Sequence, residues 1–140
     1  MERTFLVLGA VFGLIVVLLG ASGSHALRSR LPPERVATFE TGVRYQVWHA
    51  LALFAVVFVG SVSFVASGGE SAVLTAFEGT LFGWPAALAG WMFVAGIVLF
   101  SGSLYALSLS GRRGWGAMTP IGGVFLVLGW RLSRSRPQVT

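Results

Sequence analysis

The sequence predicts an all-α integral membrane protein: a four-transmembrane-helix bundle with a polar connector and short interfacial helix between the first two spans. Composition is the first reason. The 140 residues are 55% hydrophobic and 11% charged, with a mean hydropathy of +0.81, and a soluble domain of that size needs more polar surface than this. Segmentation is the second. Apolar runs approach or exceed the roughly 20 residues that cross about 30 Å of hydrocarbon at 1.5 Å per residue, and polar residues collect between them. The length allows one membrane domain over residues 1–140.

The first span is expected at residues 5–22. Ser24 and Ala26 loosely resemble a signal-peptide cleavage site, but the leading segment is barely positive and further spans follow, so the run reads as a retained helix. Gly9 and Gly13 form a small-xxx-small pair suited to close helix packing. Pro32 and Pro33 suit a first helical turn, and Glu34 complements the positive helix N-terminus. A helix starting there is expected to lead into a second span at residues 45–65, with a bend at Gly42. In the next connector Val73, Phe77 and Leu81 recur every four residues beside Glu70 and Glu78, as in a short interfacial helix. The third span is expected at residues 86–108, after Pro85. Thr119-Pro120 reads as an N-cap and first-turn proline opening a fourth span at 119–133, with Arg131 and Arg134 snorkelling to the interface.

What is missing narrows the chemistry. The chain has no Cys, Lys, Asp or Asn, and its only acids are Glu2, Glu34, Glu40, Glu70 and Glu78. Disulfides, thiolate nucleophiles, Cys-based metal sites and lysine Schiff bases are excluded. The net charge of +5 comes from ten arginines that flank apolar runs, where they orient helices and meet anionic headgroups rather than nucleic acid. Six arginines (Arg28, Arg30, Arg35, Arg44, Arg112, Arg113) fall in the first and third connectors, against four at the other face. The positive-inside rule then puts both termini outside the cytoplasm.

Four stretches go beyond generic membrane sequence: GASGSHALRSRL, FETGVRYQVWHALAL, LFSGSLYALSLSG and TPIGGVFLVLGW. Together, and in this order over nearly the whole chain, they resemble the family called domain of unknown function 423, which includes the transmembrane-protein-256-like proteins of mitochondria. The sequence departs at residues 21–25, where the family more often reads like GAFGAHG. The histidine is kept as His25, and Ser22 stands for the phenylalanine. The resemblance implies a four-helix protein of the bacterial inner (cell) membrane, or alternatively of the mitochondrial inner membrane, and brings no established activity.

With four spans, each of these motifs reaches the same membrane face, which collects His25, Thr41, Tyr45, His49, Ser101, Ser103, Tyr105 and Thr119 as a candidate polar pocket. Thr41, Tyr45 and His49 are spaced by four and share one helical stripe. Glu40 and Arg44, also four apart, form an expected interfacial ion pair about 100° away. An ionisable His49 inside a span is a functional candidate. It also suits a structural bond to a backbone carbonyl or a serine of the third span. Gly9, Gly13, Gly102, Gly122 and Gly123 are candidates for helix packing.

No nucleophile–base–acid constellation is recognisable, and no carboxylate lies deep in a span, so neither an enzyme nor a lone proton-coupled transporter is expected. No cofactor is expected. The leading expectation is a non-enzymatic protein that binds the lipid bilayer and other membrane components, as a homo-oligomer or an accessory subunit. The alternative is a small-molecule, lipid or ion binding or transport protein with its polar pocket among the first three spans. A weaker third is a haem or metal protein ligated by His25 and His49.

Overall fold

In a computed structural model, the structure describes residues 2–66 and 84–133, and every regular element among them is helical. Helix α1, Glu2–Ser22, runs into a π-turn at Gly23–Leu27. The Leu27 carbonyl then accepts from Arg30 N (3.0 Å) and Leu31 N (2.8 Å), turning the chain. Pro32 and Pro33 restart it. The Pro32 carbonyl takes the amides of Arg35 and Val36, and Pro33, lacking a donor, opens α2 at no hydrogen-bonding cost.

Helix α2 continues unbroken from Pro33 to Ala66. Its 34 residues make a rod of about 51 Å at 1.5 Å per residue, longer than the hydrocarbon core. The short helix expected after Pro32 is therefore no separate element but the first three turns of α2. Gly42 is not a helix end. It lies under the Tyr105 ring, where an added Cβ would come within 2.8 Å. The Val73–Phe77–Leu81 segment lies outside the described residues.

Helix α3, Trp84–Gly96, passes through a π-turn at Ile97–Ser101 into α4, Gly102–Ser110. Gly111 ends it in the left-handed region (φ 69°), its N–H on the Leu107 carbonyl at 2.8 Å. That conformation favours glycine. A 3-10 turn, Arg113–Ala117, leads to α5, Thr119–Ser133. The Met118 carbonyl accepts the first bond of α5, from Gly122 N.

Successive rods pack antiparallel. Gly9 faces Phe54 while Gly23 faces Phe39; Gly96 faces Leu126 while Gly122 faces Phe100. Phe5, Leu53 and Phe93 are fully buried at the centre with Val57, Ile97 and Leu126 around them. Phe5 packs edge-on against Trp91 (5.5 Å) and lies over Gly90, where a side chain would collide with its ring. Among the described residues, two helical stretches are long and apolar enough to cross a membrane, Arg3–Ala21 (mean hydropathy 2.6) and Ala86–Ser110 (1.9).

Candidate functional site

The start of α2, the end of α4 and the start of α5 meet in one layer, and their polar groups pair there. Nearest the connectors, Ser108 Oγ donates to the Arg35 carbonyl at 2.6 Å. Further in, Tyr105 Oη donates to Gln46 Oε1 (2.9 Å), and Gln46 Nε2 donates to the Phe12 carbonyl (3.0 Å). One buried carboxamide thus ties α1, α2 and α4. Across the bundle Ser103 Oγ bonds the Phe100 carbonyl (2.9 Å) and meets Thr119 Oγ1 at 2.8 Å. The Thr119 hydroxyl bridges to α4 in this way, and it is the Met118 carbonyl before it that accepts the first bond of α5.

The Thr41–Tyr45–His49 stripe divides by depth. Thr41 Oγ1 turns back onto the Ala37 carbonyl (2.9 Å). Tyr45 lays its ring on Phe100 at 4.5 Å. His49 is buried, with Nδ1 2.7 Å from the Tyr45 carbonyl and Nε2 3.3 Å from Trp130 Nε1. Indole nitrogen only donates, so Nε2 accepts and Nδ1 carries the proton. Its cross-helix partner is thus on α5, not a serine of the third span. The Phe93 ring, 5.8 Å from His49 and 5.3 Å from Trp130, closes the cluster.

Several expected sites are not brought together. Glu40 pairs with Arg28 (2.9 Å), not Arg44. The turn after α1 brings Arg28 over the first turns of α2, and Arg44 has no carboxylate partner among the described residues. His25 belongs to the π-turn after α1, and its side chain lies outside the described residues. Among the described residues no three His, Cys, Asp or Glu side chains gather as a metal would need. Ser101 is buried and its Oγ has no hydrogen-bond partner among the described residues. Of the expected packing glycines, Gly122 meets the Phe100 backbone and Gly9 the Phe54 ring, while Gly123 makes ordinary contact with Phe100. Gly13 and Gly102 face open space, so neither supports a helix contact here.

Gln46, Ser108 and Trp130 were not singled out from sequence. Gln46 had a signal: it is the one carboxamide inside an apolar run, one residue from Tyr45. Trp130 had none, since it reaches His49 only because α5 folds back along α2.

Beside these bonded groups the bundle is open laterally. A groove of about 930 Å³ runs between α2 and α5, floored by Phe100, His49 and Leu126 and walled by Val124 and Val127. Along α2 its lining runs from Arg44 to Trp48 and His49, and along α5 from Pro120 to Trp130, whose indole meets His49. Two of the residues expected in a polar pocket, Tyr45 and His49, line this groove; Ser103 and Thr119 bond each other, and Tyr105 bonds Gln46.

Helical rods with apolar outer faces, and polar groups closed on each other inside, define a small all-helical integral membrane protein. A family model described as "Protein of unknown function (DUF423)" matches residues 19–123. The chain is 40% identical over 128 residues to the UPF0382 membrane protein YwdK of Bacillus subtilis, covering 91% of this chain and 90% of the relative. It is 36% identical over 128 residues to a UPF0382 membrane protein of Staphylococcus saprophyticus, covering 91% of each. It is 35% identical over 132 residues to the UPF0382 inner membrane protein YgdD of Escherichia coli, covering 94% and 86%. The chain belongs to the DUF423 family, and its place is the bacterial inner (cell) membrane. No solved structure matches it.

Proposed function

We propose that this chain is a non-enzymatic membrane protein that crosses the bilayer four times, with α1, α2, the α3–α4 rod and α5, and acts by holding another membrane component. The observation that carries this reading is the lateral groove between α2 and α5. Ligand sites are concave, mostly apolar and about 300–1,000 Å³ in volume, with a few placed polar groups, and the groove meets that description. The interior supports the non-enzymatic half. His49 spends its basic nitrogen on an indole N–H and its other nitrogen on a carbonyl, and Ser103 and Ser108 hydroxyls bond carbonyls of the bundle.

The test is native mass spectrometry of the protein released from mild-detergent micelles. Wild type should retain an amphiphile that Gly123→Leu, which fills the groove, does not. Equal retention by both proteins would sink the assignment.

A second reading, association with another copy or with a larger complex, draws on α1. That helix exposes Val7, Leu14, Val17 and Leu18 and packs chiefly on α2. A strictly monomeric species in mild detergent, with no co-purifying protein, would count against it.

A further inference from the structure

The groove's one charged lining residue, Arg44, stands at its connector end while the rest of its surface is mostly apolar. We propose that the groove seats one acyl chain of an anionic phospholipid, with the Arg44 guanidinium on its phosphate; this rests on the binding reading above.

Three observations carry it. The first is length. From Pro120 at the mouth to Trp130 at the deep end is ten residues of α5, about 15 Å at 1.5 Å per residue. That is half of the roughly 30 Å hydrocarbon core, the depth one leaflet's acyl chain occupies. The second is depth of the charge. Arg44 directly precedes the apolar run of α2 and lines the same groove as Pro120, in the first turn of α5. A guanidinium there is at headgroup level, with the groove descending from it into the leaflet. The third is charge complementarity. Glu40, the nearest acid along α2, is taken by Arg28, so no carboxylate among the described residues pairs with Arg44. Arg112 and Arg113 come from the connector that leads into α5 at the same end. Guanidinium is the side chain suited to bidentate contact with phosphate, and basic pockets between membrane helices are where lipid headgroups bind.

A second protein helix fits this arrangement less well. It would bury Arg44 against apolar side chains with no acid on the groove to meet it, and an unpaired buried charge is costly.

The experiment uses Trp130 as the reporter. The full chain, with its other four tryptophans replaced by phenylalanine, goes into phosphatidylcholine nanodiscs doped with a small fraction of brominated-chain lipid. Brominated phosphatidylglycerol should quench Trp130 with about fivefold higher apparent affinity than brominated phosphatidylcholine, the equivalent of roughly 1 kcal/mol for one arginine at a membrane surface. Arg44→Gln should remove that preference. Gly123→Leu should abolish quenching by either lipid, and far-UV circular dichroism confirms that both variants are folded.

Equal quenching by the two headgroups would overturn the anionic-lipid assignment and leave the binding groove standing. No quenching by either lipid would overturn both. Competition by soluble glycerol phosphate would mean that the site takes the phosphate without the chain. Loss of quenching on raising the protein density in the disc would mean that a second copy occupies the groove.

Discussion

Replacing Gln46 with methionine keeps the side-chain volume and cuts a polar tie shared by α1, α2 and α4. Two interhelical hydrogen bonds are lost, to Tyr105 Oη and to the Phe12 carbonyl. Such bonds in membrane bundles average about 0.6 kcal/mol and reach about 1.7, so the pair contributes about 1.2. The Tyr105 hydroxyl is then left half-buried without its acceptor, and orphaning a polar group adds a desolvation penalty of about 1–3 kcal/mol, which brings the total to about 2–4 kcal/mol. Tyr105→Phe loses one bond and orphans the amide oxygen, at about 1–2 kcal/mol by the same reasoning. The double variant leaves neither partner of that bond stranded. Its cost should fall short of the sum of the singles by about 1 kcal/mol. Unfolding in a dodecyl maltoside–SDS titration, followed by far-UV circular dichroism, measures all four corners of the cycle. A coupling below about 0.3 kcal/mol, the scatter expected of independent sites, would refute a Tyr105–Gln46 bond in the membrane.

The glycines separate in the same assay. Gly122→Ala puts a methyl against the Phe100 backbone, 2.7 Å from its Cα, and should destabilise by about 2–3 kcal/mol because backbone cannot step aside cheaply. Gly13→Ala meets nothing within 4 Å, so it should be neutral or stabilise by up to about 1 kcal/mol through helix propensity. Ser101→Ala removes a buried hydroxyl with no partner and should leave stability equal or raised; a loss above about 1 kcal/mol would mean that the hydroxyl is bonded after all. Arg28→Gln breaks an ion pair whose side chains are 63% and 40% exposed. Its cost should stay under about 0.5 kcal/mol and shrink as salt is raised, which a titration at two ionic strengths checks.

Much of the site's location was legible in the chain. Residues 39–51 read FETGVRYQVWHAL, and the pairing of α2 with α4 and α5 does gather the polar motifs in one layer. The partners were not legible. Glu40 and Arg44 have the spacing of a helical ion pair, yet a turn from elsewhere supplies Arg28. The same limit applies to glycine: Gly13 and Gly122 have equally suggestive contexts, and only the crossing of α5 over Phe100 distinguishes them. The π-turn at Ile97–Ser101 lies between Gly96 and Gly102, residues that read equally well as close-packing glycines of an unbroken helix.

By itself the sequence determined the environment and the helical class, because hydropathy and run length depend on local composition and on the fixed rise of a helix. It also gave the expectation of one polar end, since four spans in that order would bring the motifs to one face. Only the tertiary structure decided that His49 meets Trp130, that Gln46 joins three helices, and that the open space lies between α2 and α5. Those outcomes depend on the rotation of each rod about its own axis. Packing across the bundle sets that rotation, and hydrophobic periodicity gives little hint of it when both the core and the lipid are apolar.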